Sequence, residues 1–163
     1  DEIVMFVDWL PTLMTLLGEP VPKQPLDGMD ISPVLLGKGK LPERSIFFHF
    51  PIYLQAYNAR RDDGRDPLFR TRPGSVIRKG NWKLHEYFED GALELYDLSS
   101  DLGETNNVAR NHPGVVKELY EELKAWRNQL NAGVPTKPNP KYDPVAAANF
   151  LVKSLNPKSK IEY

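Results

Sequence analysis

Hydrophobic and polar positions follow helical spacing in some stretches of this chain and strand-like runs in others, and each predicts an element. Ile3–Val7 is a short apolar run suited to a buried strand, and Asp8 behind it is a helix N-cap residue type. Leu10, Leu13, Met14 and Leu17 then recur at helical spacing, with Pro11 in the first turn, where its missing N–H does no harm. Gly18 ends this helix, and Pro20 and Pro22 prevent its return. Asp30-Ile31-Ser32-Pro33 predicts a second, short helix through Leu36, closed by Gly37. Ser45–Phe50 is dense in aromatic and β-branched residues and predicts a strand, whereas residues 51–72 mix Arg with Asp and predict an irregular stretch.

Ser75–Arg78 and Trp82–Phe88 read as strands around a Lys79-Gly80-Asn81 turn, and Glu89-Asp90-Gly91 leads into a third at Leu93–Leu98. With Ser45–Phe50 they predict a small four-stranded antiparallel sheet. Val116, Leu119, Leu123, Trp126 and Leu130 alternate by three and four, with Lys and Glu on the other face. That stripe predicts a helix packed on the sheet, stopped by Gly133 and Pro135. The Pro- and Lys-rich remainder holds one further helix candidate, Pro144–Leu155. The class is α+β. A chain that opens on a strand running into a helix reads as the end of a larger domain.

Composition narrows the possible functions. The 163 residues carry a net charge of −1, and general nucleic-acid binders need a basic surplus to neutralise phosphates. No apolar run approaches the ~20 residues that cross a bilayer, and Asp1-Glu2-Ile3 lacks the features of a secretory signal. With no Cys, the chain has no disulfide, thiolate metal site or Cys nucleophile.

The chain has no phosphate loop, His-Glu-x-x-His pair, EF-hand loop or nucleophile elbow. His49, His85 and His112 lack the spacing of a metal cluster, and most carboxylates stand in turns such as Asp62-Asp63-Gly64. No catalytic residue and no metal ligand is assigned. Two features remain as candidate binding elements. Arg60, Arg61, Arg65, Arg70 and Arg72 are interspersed with Asp62, Asp63 and Asp66; Arg forks suit sulfate-like oxyanions, and a self-paired surface loop is the plainer reading. His49 lies between Phe48 and Phe50 and points opposite to both in a regular strand, either satisfied on the sheet's outer face or reaching into a cleft.

The order of motifs resembles the C-terminal part of the sulfatases, in the alkaline-phosphatase-like superfamily, of the arylsulfatase and N-sulfoglucosamine sulfohydrolase type. Val7–Gly18 resembles the family's "VDLxPTLLdLaG" helix and Leu26–Gly37 its "lDGxsllPlLxG" segment. Arg44–Pro51 resembles "R-x-l-f-w-H-y-P", and Ser75–Leu84 resembles "sairxGdwKLi". Glu94–Leu98 with Asp101–Ala109 resembles "eLYdLxxDpgExxNla". Each is weak alone; five in the family's order, across about residues 3–130, are strong.

The resemblance implies that residues 1–42 are the last strand and helices of a missing α/β alkaline-phosphatase-like domain. Residues 43–133 would be the C-terminal subdomain, and 134–163 a tail. It implies a parent that hydrolyses sulfate esters, with a formylglycine nucleophile and a calcium ion held in the missing N-terminal domain; the isolated chain is expected to be inactive. It further implies a sulfated small molecule or glycan as substrate, contacts from His49, Arg70 and Arg72 at the pocket rim, and a periplasmic, secreted or lysosomal setting. Trp82 is expected in the core, and residues 52–72 as a variable insertion that tunes the substrate. Aryl, monosaccharide and glycosaminoglycan sulfates are all compatible with this, as is a relation to phosphonate-ester hydrolases. A stand-alone module that binds anionic glycans through the Arg loop, or a fragment with no ligand of its own, are the competing readings.

Overall fold

The computed structural model describes residues 2–55 and 69–155, with backbone alone at 55 and 150–155. The chain forms two compact units, Asp1–Ser45 and Ile46–Tyr163.

In the first unit the expected Ile3–Val7 strand is absent. Residues 2–5 are irregular, and Phe6–Asp8 form a short 3-10 turn leading directly into helix α1, Trp9–Leu17. A strand needs a neighbour for its backbone groups, and no described strand pairs with this run. Asp8 has helical dihedrals and makes no side-chain cap bond to α1. Its carboxylate turns back to the Met5 N–H (2.6 Å), across to the Met29 N–H (3.0 Å), and onto the Arg44 guanidinium. Thr12 is fully buried, donates to the Asp8 carbonyl at 2.6 Å and accepts the Ile31 N–H at 3.0 Å, which ties α1 to the segment before helix α2, Ser32–Leu35. A Cβ at Gly28 would run into the Val7 carbonyl, so only glycine permits this crossing of backbones. Gly18 ends α1 in the left-handed conformation, φ 72°. Much of the apolar surface of α1 faces outward: Trp9, Leu10, Leu13, Leu16 and Leu17 are exposed, as is Phe6.

The second unit is built on a four-stranded sheet. Its members are β1 (Ser45–Phe50), β4 (Gly74–Lys79), β5 (Trp82–Tyr87) and β6 (Leu93–Asp97), in the order β1-β4-β5-β6. β4 and β5 pair antiparallel from Gly74↔Tyr87 to Lys79↔Trp82, joined through Gly80 at φ 55°, and β6 lies antiparallel to β5. The stretch expected to be irregular contains a second, two-stranded sheet of β2 (Leu54–Gln55) and β3 (Phe69–Thr71), whose register shifts between Leu54 and Gln55. Two-residue and three-residue strands carry too little alternation to be read from a pattern.

Strand alternation fixes the core. Ile77, Leu84 and Leu95 form one cross-strand row, all fully buried, beneath Leu119 and Leu123 of helix α3, Pro113–Leu130. Phe47 stacks on Trp126 at 4.7 Å, and Trp82 packs against the same cluster. A buried charged pair lies under α3: Arg127 pairs with Glu86, each 8% exposed, and Tyr120 donates to Glu86 at 3.0 Å. The helix ends at Asn131, left-handed at φ 51°, with Ala132 N–H returning to the Arg127 carbonyl at 3.0 Å. Asn tolerates that conformation, so the stop comes earlier than Gly133. Pro144–Leu155 forms helix α4.

Candidate functional site

The two faces of the sheet differ in chemistry because each strand alternates. The α3 side receives the leucines and isoleucine. The opposite side receives Phe48 and Phe50 from β1, Val76 from β4, His85 and Tyr87 from β5, and Glu94 and Tyr96 from β6. These residues floor a concavity of about 690 Å³. Phe69–Arg72 contribute to one part of its lining and Gly103–Thr105 to another.

The Gly103–Thr105 wall is latched to the floor. Glu104 accepts from Lys83 Nζ at 2.5 Å and from His85 Nε2 at 2.8 Å. A carboxylate only accepts, which places the proton of a neutral His85 on Nε2. Burial, reinforced by the nearby Lys83 charge, moves the His85 pKa below the usual histidine value. Burial of Glu104 works toward the neutral acid, yet the Lys83 hydrogen bond and charge, with His85, bring its pKa below the usual carboxylate range. Glu104 has φ 54°, a left-handed backbone that costs a non-glycine residue about 1–2 kcal/mol. The loop tolerates it because Asp101 accepts the Thr105 N–H (3.1 Å), the Thr105 hydroxyl (3.0 Å) and the Asn106 N–H (2.8 Å). Beside the latch, Tyr96 donates to Glu94 at 2.9 Å and meets His85 edge-on at 5.6 Å. Burial, then Glu94, raises the Tyr96 pKa, which keeps the phenol protonated.

His49 does not line this concavity. It shares the parity of Phe47 on the α3 side, with Nδ1 2.8 Å from the Ser75 hydroxyl and Nε2 3.0 Å from the Gly133 carbonyl. A carbonyl accepts, so Nε2 carries the proton of a neutral ring and Nδ1 accepts from Ser75. A Ser–His hydrogen bond is the geometry of an activated nucleophile, but Ser75 is 1% exposed and cannot reach a substrate. The pair joins β1, β4 and the chain after α3. Arg70 and Arg72 do border the concavity, and Arg72 pairs with Glu89. Arg60, Arg61 and Arg65 lie outside the described residues.

The latch was not foreseen. Its signal was the period-two run Lys83, His85, Tyr87 on β5 beside Glu94 and Tyr96 on β6, which puts ionisable and phenolic groups on one face. Residues of the recognised motifs now meet as pairs: Asp8 with Arg44, His49 with Ser75, Lys83 with Glu104, and Asn107 Oδ1 with the Leu95 N–H at 3.1 Å. Among the described residues, no group of three or more His, Cys, Asp or Glu side chains is placed to hold a metal ion. No described helix is long and apolar enough to cross a membrane.

Comparison with known proteins gives the same answer. The family model for the C-terminal part of N-sulphoglucosamine sulphohydrolase matches residues 1–129. Human arylsulfatase A is 32% identical, over 85% of this chain and 29% of that protein. A solved 2-O GAG sulfatase is 25% identical with a TM-score of 0.54, over 80% of this chain and 27% of its own. A second structure, in complex with its substrate D-glucosamine-2-N,6-O-disulfate, is 25% identical with a TM-score of 0.55, over 78% of this chain and 24% of its own. This chain therefore spans under a third of the length of these relatives. With the sheet, the helix and the paired motifs in agreement, the chain belongs to the C-terminal family of the N-sulphoglucosamine sulphohydrolases, within the sulfatases.

Proposed function

We propose that this chain is the C-terminal part of a sulfatase that hydrolyses sulfate esters, carbohydrate sulfates among them, and that it shapes the rim of the substrate pocket without supplying the nucleophile. One observation carries the reading: the motif residues pair with one another as structural locks and leave a concave aromatic and ionisable face of the sheet open. Arg70 and Arg72 stand at its border, where their cations suit a sulfate-bearing ligand, and His49 braces the sheet from beneath.

The parent's formylglycine and calcium belong to this proposal, and we place both in the remainder of the parent. The sequence holds no Cys, and the described acidic and His side chains form no metal cluster. The remainder of the parent is the proposed partner, and the exposed Phe6, Trp9, Leu13 and Leu17 offer it an apolar surface of the kind that marks an interface. The glucosamine disulfate bound by one neighbour supports a sulfated carbohydrate as ligand class.

The test is sulfate release by the full-length protein from 4-nitrophenyl sulfate and from O-sulfated glucosamine. Release from at least one is expected, with KM raised by Arg70→Ala. A full-length protein that frees sulfate from none of a broad ester panel refutes the reading.

A further inference from the structure

Between β1 and β4 the chain leaves the main sheet and returns to it, and one side chain holds both described ends of the excursion. Tyr53, just before β2, donates its hydroxyl to Glu89 Oε1. Arg72, just after β3, pairs through Nη1 with Glu89 Oε2. The Tyr53 ring lies against Phe69 at 4.8 Å, and Leu54 pairs with Thr71, so the clamp closes a small packed base.

Glu89 is itself well seated. It belongs to the β5–β6 turn, where Gly91 N–H reaches the Tyr87 carbonyl and Tyr87 N–H the Ala92 carbonyl, each at 3.0 Å. Asp90 accepts the Ala92 N–H at 3.0 Å, and Gly91 takes the positive φ of 67° that the turn requires. Burial, then the Glu89 hydrogen bond, pushes the Tyr53 pKa up to about 12, so its phenol remains a donor at neutral pH. The clamp thus runs from a rigid turn to the lining segment Phe69–Arg72.

We infer that Glu89 is a positioning residue: by holding Tyr53 and Arg72 it fixes Phe69–Arg72 against the sheet face and so sets which sulfated molecule the concavity admits. The inference rests on the sulfatase reading above. The lining suits a sulfated oligosaccharide more than a bare aryl sulfate. That lining includes the Phe69 and Tyr87 rings, the Glu94 and Glu104 carboxylates and the Arg70 side chain, groups whose chemistry matches sugar faces, hydroxyls and an anionic substituent.

The experiment compares Glu89→Ala and Glu89→Gln in the full-length protein. Glu89→Ala is expected to raise KM for a sulfated disaccharide or longer about 10-fold with kcat within about twofold, and to leave KM for 4-nitrophenyl sulfate within about twofold. Glu89→Gln keeps an acceptor for Tyr53 and recovers part of the loss. Hydrogen exchange at Phe69–Thr71 quickens in Glu89→Ala while that at Trp82–Tyr87 does not. Unchanged exchange at Phe69–Thr71, an unchanged oligosaccharide KM, or equal KM losses on both substrates overturns the inference. If the unaltered protein frees sulfate from no ester, the sulfatase reading fails separately. Calorimetric binding of the oligosaccharide then decides the role of Glu89, with weaker binding to Glu89→Ala supporting it and equal binding overturning it.

Discussion

Removing the Arg44 guanidinium by Arg44→Met probes the lock that closes the first unit. Asp8 is fully buried, and the Arg44 side chain is 13% exposed. The Arg44 hydrogen bond is the largest influence on Asp8 and outweighs its burial, with the Met5 and Met29 N–H groups helping, so its pKa drops from 3.8 to about 2. A carboxylate whose folded pKa is depressed stabilises the fold above its unfolded pKa and ceases to do so as pH falls through the folded one. Here that is about 2 kcal/mol, present at neutral pH and lost between about pH 4 and pH 2. Arg44→Met is harsher, because it leaves a buried carboxylate with backbone donors and no cation, a change that typically costs about 3–5 kcal/mol. Local opening is read most directly by hydrogen exchange at the Met29 amide, whose acceptor is Asp8 Oδ1 at 3.0 Å. Its protection is expected to fall at least ~100-fold at pH 7, equivalent to ~3 kcal/mol. The difference from the unaltered protein then narrows as pH drops from about 4 toward 2, where Asp8 is protonated in both. Protection within about threefold of the unaltered protein at pH 7 would refute the idea that Arg44 neutralises Asp8.

Three further outcomes follow from the same geometry. Gly28→Ala drives a methyl group into the Val7 carbonyl and is expected to cost at least about 2 kcal/mol in thermal or urea unfolding, whereas Gly39→Ala, which would meet only the Pro33 Cβ at 3.4 Å, is expected to cost far less. Leu84→Ala opens the centre of the cross-strand row and is expected to cost about 2–5 kcal/mol by the same measurement. Since burial lowers the His85 pKa, the unfolded chain takes up a proton that the fold resists; stability therefore declines as pH falls below about 6.5, and His85→Gln flattens that part of the profile.

Much of the second unit was legible because its signals are local and strong. Ile77, Leu84 and Leu95 alternate within strands bounded by Gly80 and Gly91, and Leu119 and Leu123 repeat at helical spacing, so sheet, helix and their contact follow from side-chain period alone. The first unit misled at Ile3–Val7, because an apolar run does not reveal whether a neighbouring strand exists. Asp8 does stand at the N-cap position of α1, but its carboxylate serves a buried ion pair instead of a cap bond, and that partner, Arg44, lies 36 positions away. His49 was legible as a polar residue facing away from Phe48 and Phe50. Its partners, Ser75 and Gly133, are brought to it only by the packing of β4 and the end of α3. The Glu104 latch depends on a backbone in the left-handed region, which a glutamate in the sequence does not announce.

The central proposal is that these residues contribute the C-terminal architecture of a sulfatase while the bond-breaking chemistry resides elsewhere in the parent. Sulfate release from 4-nitrophenyl sulfate by the isolated 163-residue chain, beside the full-length protein at equal molarity, tests it most directly. No release above the buffer blank by the chain, with turnover by the full-length protein, is the predicted result. Turnover by the chain alone at the full-length rate would contradict it.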